Sequence, residues 1–149
     1  MKKIILFVAL PLPVLVFLFL KFFGSNEFEV PVYWSDGVNV AGCPPITVPY
    51  AVPDSALVAW GWKGEKATLV VLNENGIKDN LARVEKLFNN GDYKTVKVSN
   101  LPSCLLLAGD SSKVVMIDEQ KRIRGYYTPT NQKETDRLSV ELRILLKQY

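Results

Sequence analysis

Cys43 and Cys104 are the only thiols in this 149-residue chain, and the sequence contains no histidine. Without histidine the commonest general base and the commonest metal ligand are missing. Triads and zinc sites built on histidine are therefore excluded. Three readings of the thiol pair stand open: a disulfide, two unpaired thiols in the core, or a functional dithiol. If the domain is exported, as its amino terminus suggests below, an even pair favours a disulfide. Such a bond would close a loop of about 60 residues, worth roughly 4 kcal/mol on the chain-entropy account, and would pin the segment around Cys43 to the domain. A redox or metal-binding dithiol needs adjacent, reactive sulfurs, and neither cysteine is expected at a helix start or beside a second cysteine.

The other groups able to do chemistry have plain structural readings. Asp110, Asp118 and Glu119 stand near turns, where acidic residues are ordinary, and a paired-carboxylate site would require burial and convergence. Met116 lies inside an apolar run and reads as packing. Arg122 and Arg124 alternate along one strand face beside Lys121; a solvated face is the first reading and a surface for an acidic partner the functional one. Trp60 and Trp62, two apart, would share a face of a strand. Packing is again the default, with an exposed pair there the first candidate for a partner surface. Lys and Arg total 18 against 15 Asp and Glu. Lys2, Lys3 and Lys21 belong to the first apolar segment, so the rest of the chain is neutral and gives no support to nucleic-acid binding.

The elements that must position these residues follow from apolar patterning. Ala67 to Leu72 is apolar and branched, as a central buried strand should be. Ile77, Leu81, Val84, Leu87 and Phe88 share one face of a helix that stops at Asn89-Asn90-Gly91. Tyr93 to Val98 is a second strand, and the order strand, helix, strand predicts a right-handed crossover with the two strands parallel. Val114 to Ile117 and the alternating run from Arg122 form a hairpin about the turn 118–121, with Gly125 marking a bulge or a close approach. Asn131 with Glu134 resembles a capping box, and Leu138, Leu142, Leu145, Leu146 and Tyr149 make the stripe of a terminal helix. Leu57 to Trp62 alternates loosely and is expected as a further strand. The predicted class is α/β, a thioredoxin-like mixed sheet with one helix for each face.

Ahead of this domain (57–149) come an anchor (1–24) and a Pro-rich extended stalk (25–56). Ile4 to Leu20 carries no charge over seventeen residues, just long enough to cross a bilayer. Lys2 and Lys3 before it predict a cytoplasmic amino terminus with everything after Gly24 exported. The competing reading, a cleaved signal peptide, lacks a small-x-small cleavage site. Residues 4–23 are thus the expected membrane contact, with the domain on the periplasmic or extracytoplasmic side. Pro31, Pro44, Pro45, Pro49 and Pro53 break regular structure in the stalk, and Tyr33, Trp34 and Tyr50 are its expected contacts with the domain.

The stretch VVMIDEQKRIRGYYTPTNQKETDRL resembles the carboxy-terminal hairpin and helix of the Sco/SenC proteins, membrane-anchored thioredoxin-like copper chaperones for cytochrome oxidase. The resemblance covers about the last forty residues and extends more weakly to KDNLARVEKLF and PYAVPD. It implies a role in oxidase assembly beside a respiratory membrane complex. That family holds copper with Cys-x-x-x-Cys and a histidine. Here Val70 and Glu74 can be set opposite the two cysteines without a gap, a loop deletion being the alternative; the stretch Leu72 to Gly76 has no cysteine, and Asp110 falls about where the histidine would be. No family ligand carries over, and no cofactor is expected unless Cys43 and Cys104 serve as the metal or redox pair. The expectation is a binding or assembly factor, with a divergent thiol oxidoreductase or copper chaperone as the alternative.

Overall fold

The computed structural model describes residues 11–23, 29–37, 43, 48–88, 91–99, 103–109 and 111–147. Its elements in order are α1 (Pro11–Phe23), α2 (Asp54–Ala59), β1 (Ala67–Val71), α3 (Lys78–Leu87), β2 (Tyr93–Lys97), α4 (Ser103–Leu106), β3 (Val114–Asp118), β4 (Ile123–Tyr127) and α5 (Gln132–Leu145). The four strands form one mixed sheet in the order β2-β1-β3-β4. β1 runs parallel to β2 and antiparallel to β3, and β3 pairs with β4 as the expected hairpin. The two central strands, ATLVV and VVMID, are buried at every position, which is why neither alternates polar with apolar.

The sheet has a core on each face. On one, Leu69, Val71, Val114, Met116 and Tyr127 meet Ile77, Leu81, Val84 and Phe88 around α3 and Leu138, Leu142 and Leu146 around α5. Both long helices therefore cover the same face, which corrects the expectation of one per face. The other face, carrying Val70, Val115, Ile117 and Ile123, is covered by Tyr50, Val52, Leu57, Leu106 and Leu107. Segments 48–59 and α4 do there what a long helix does elsewhere. The connection from β2 to β3 holds a helix of only four residues among those described, too short to shield a sheet face alone.

Residues 57–62 correct a second expectation. They are the end of α2 and a turn, with Gly61 at φ +66 and its N–H bonded to the Val58 carbonyl at 2.9 Å. Pro53 fixes the backbone ahead of the helix at φ −60, and Ala and Leu prefer helix. A short apolar run does not separate strand from helix by periodicity. α5 begins as its sequence signals, with the Asn131 side chain accepting from the Glu134 N–H at 3.0 Å.

Of the segment expected as a stalk, Val30 enters the first core and Tyr50 and Val52 the second. It also covers the β4 edge: Tyr33 N–H donates to the Ile123 carbonyl at 2.9 Å and Val52 N–H to that of Lys121 at 2.8 Å. The edge is thereby closed to other strands. α1 is thirteen apolar-rich residues with Leu12 to Phe19 exposed. Among the described residues no helix is long and apolar enough to cross a membrane. Residues 4–10 of the expected span, with Lys2 and Lys3, lie outside the described residues, as do Pro44, Pro45, Asn89, Asn90, Asp110 and Tyr149.

Candidate functional site

Three places bring together the residues that sequence singled out. The first is the turn after β1, where the resemblance puts a dithiol. Asn73 Oδ1 accepts from the Asn75 N–H at 2.8 Å, an Asx turn, and the Lys113 ammonium donates to the Asn75 carbonyl. Gly76, at φ +73, leads into α3. Lys97 Nζ lies 2.6 Å from Glu74 Oε1, and its hydrogen bond holds the Glu74 carboxyl below its ordinary value while raising Lys97. Asn80 Nδ2 donates to the Pro129 carbonyl at 2.9 Å, tying α3 to the loop before α5. A wide polar depression of about 650 Å³ opens here, lined by Glu74, Asn75, Gly76, Lys78, Asp79, Asn80 and Thr130. Its donors are amides and carboxylates, hard oxygen ligands that do not suit copper(I). Val70, set opposite a cysteine by the resemblance, is fully buried in the second core.

The second place is the thiol pair. Cys43 and Cys104 are joined as a disulfide across 61 positions, their Cα atoms 5.4 Å apart; Cys104 is the second residue of α4, which corrects the expectation that neither cysteine lies at a helix start. An aromatic collar surrounds this junction. Tyr50 Oη donates to the Leu105 carbonyl at 2.6 Å, and Tyr126 Oη donates to that of Leu106 at 2.8 Å while accepting from Trp34 Nε1 at 2.6 Å. Tyr33 packs edge-on against Tyr126, ring centroids 5.2 Å apart. The disulfide and two phenols thus hold successive residues of α4, Cys104, Leu105 and Leu106, against the amino-terminal segment and the sheet. Burial pushes the Tyr50 phenol up, and raises Tyr126 to about 12 against the smaller opposing effect of its bond from Trp34.

The third place is the hairpin base. Alternation predicts Arg122 and Arg124 on one solvated face, but Met116 pairs with Gly125 and Ile117 with Ile123. Arg124 is the extra residue of a bulge. The bulge turns its side chain inward, where it is 10% exposed and bonds Asp118 Oδ2 at 3.2 Å and the Val30 carbonyl. Arg122, 31% exposed, reaches the same oxygen at 2.8 Å. The other Asp118 oxygen accepts from the N–H groups of Gln120 and Arg122, each at 2.9 Å. Asp118 therefore closes its own turn and pairs with both arginines, leaving the trio one positive charge in excess. The glycine next to the bulge serves a close approach: a Cβ on Gly125 would sit 2.1 Å from Tyr127 Oη. Tyr127 in turn donates to Glu141 Oε2 at 2.5 Å beneath Arg137. Burial first, then that bond, raises the Tyr127 phenol far above its ordinary value.

Trp60 and Trp62 flank Gly61 and are both half-buried in the second core. Lys121 Nζ lies 5.9 Å from the Trp62 ring centroid and 2.6 Å from Asp54 Oδ1. The structure thus brings the two arginines, one buried and one half-buried, to a single Asp118 oxygen and seats both indoles against the sheet. The Asp118–Arg124 lock and the Tyr127–Glu141 bond were outside the sequence reading; the adjacency Arg-Gly in a strand was their only signal. Among the described residues no three His, Cys, Asp or Glu side chains are grouped to hold a metal ion.

Compared with known proteins, the chain matches no family model, no curated protein and no solved structure.

Proposed function

We propose that this chain is a membrane-anchored, exported, thioredoxin-like domain akin to the Sco/SenC proteins, acting as a binding or assembly factor for a respiratory membrane complex without copper or thiol chemistry of its own. One observation carries the reading: the turn after β1 presents Asn73, Glu74 and Asn75, while the only two cysteines are bonded to each other where the amino-terminal segment meets α4. The thioredoxin-like part is supported by the order β2-β1-β3-β4 with one parallel pair and a carboxy-terminal hairpin. Its two long helices share a sheet face. Export is supported by the disulfide, a bond that persists in oxidising compartments.

Titrating the reduced full-length chain with copper(I) against a competing chelator tests this reading. The expected result is no tight one-equivalent uptake; a stoichiometric, chelator-resistant complex would overturn it.

A second reading, a divergent thiol oxidoreductase or copper chaperone, is favoured by the adjacency of the two sulfurs, since reduction would leave two thiols side by side. Replacing both cysteines by serine separates the two. Under the oxidoreductase reading activity or metal uptake vanishes, whereas under ours only thermal stability falls.

A further inference from the structure

The carboxy-terminal end of α5 and the hairpin base enclose a cleft of about 250 Å³ lined by Lys66, Arg122, Arg124 and Lys147 against Asp118 and Glu119, with Leu145 and Leu146 at its back. Asp118 is only 4% exposed and is already bonded by both arginines. Lys66 has a half-exposed partner, Asp92, at 3.3 Å, a contact too solvated to hold it firmly. The cleft thus offers cations at its mouth and keeps one of its two carboxylates underneath. Arg124 also has an Nε that is buried with no hydrogen-bond partner among the described residues.

The position of this cleft in the chain is what gives it meaning. Arg124 donates to the carbonyl of Val30, which is 3% exposed in the first core. Among the described residues, Val30 is the first after α1 that is buried against the sheet. Phe23, the last residue of α1, is seven positions earlier. Seven residues reach at most about 25 Å fully extended, while a domain of this size has a radius of gyration of about 13 Å. Resting on the anchored reading above, the domain cannot leave the bilayer by more than about its own width, and Val30 is the core residue on the shortest tether to it.

We infer that the cleft formed by Lys66, Arg122, Arg124 and Lys147 seats on the bilayer that holds α1, taking the phosphate of an anionic lipid headgroup. Half-exposed Arg122 supplies a planar donor suited to phosphate oxygens, buried Arg124 adds its charge from beneath while its terminal nitrogens bond Asp118 and Val30, and the two lysines add positive charge at the rim. The contact fixes the orientation of the sheet above the membrane and leaves the depression after β1 free for a partner.

The test uses the full-length chain in lipid nanodiscs, either phosphatidylcholine alone or an equal mixture with phosphatidylglycerol, with amine acylation rates read lysine by lysine by mass spectrometry. Lys86 and Lys133, exposed on α3 and α5, are internal references. Lys66 and Lys147 are expected to react about fivefold more slowly in the anionic discs, and high salt should remove the difference. Equal rates in both discs, relative to the references, would overturn the inference. So would the same protection in neutral discs on adding inorganic phosphate, which would make this a site for a free anion. A chain that fails to stay with either disc would instead bring down the anchored reading, and the lipid contact with it.

Discussion

Gly125 and Tyr127 show how a single residue sets the geometry of the hairpin. The Tyr127 ring lies over Gly125, is 1% exposed and is bonded to Glu141, so it has nowhere to retreat. Gly125→Ala should destabilise the fold by about 1–3 kcal/mol through overpacking, read as a lower urea midpoint. An unchanged midpoint would mean that the ring moves freely. Asp118 is the other single-residue control. Asp118→Ala leaves the Arg124 charge buried with only the Val30 carbonyl as a partner, and losing one member of such a pair costs about 3–5 kcal/mol. Asp118→Asn keeps the turn acceptor and should cost less; equal losses would show that the charge pair, not the turn, carries the effect.

The elements differ in how plainly they could be read. β1, β3, α3 and α5 were legible because each is either a branched apolar run or a clean helical stripe, and Asn131 caps α5 as its spacing predicts. α2 was not, because six residues with apolar side chains on both sides fit either period, and Pro53 with Gly61 decide the matter through backbone angles. The inward turn of Arg124 was hidden for a related reason: alternation assumes an unbroken ladder, and one bulged residue reverses it. Of the candidate site, the pairing of Cys43 with Cys104 was one of three open readings, while the phenol bonds to Leu105 and Leu106 carry no sequence signature. The disulfide and the collar together hold α4, so replacing both cysteines by serine should lower stability by about 4 kcal/mol. Amide exchange should rise first in 103–107 and 48–52. A uniform rise over all strands would contradict this local role.

Across the whole molecule, one sheet face is sealed by two long helices and the other by a segment, a short helix and a disulfide. The second face depends on neutral phenols. Tyr50 and Tyr126 both titrate above the ordinary value of 10.0 in the fold, Tyr126 at about 12. A phenol whose folded value is raised contributes stability that is complete below pH 10 and is lost as pH rises through the folded value. Stability should therefore hold to about pH 10 and decline above it, and Tyr126→Phe should make that decline shallower without removing it, because Tyr127 and Tyr93 are raised as well, while lowering stability at neutral pH. A decline beginning at pH 8 would point to other groups.

The account stands or falls on the cysteines acting as a fastening and not as reagents. The most direct measurement is the reduction potential of the Cys43–Cys104 pair in the full-length chain, set by equilibration with dithiol buffers and read by thiol alkylation. Because breaking the bond also loosens α4 and its collar, a potential below about −300 mV is predicted, the range of structural disulfides. A value between about −120 and −270 mV, where thiol oxidoreductases work, would contradict it.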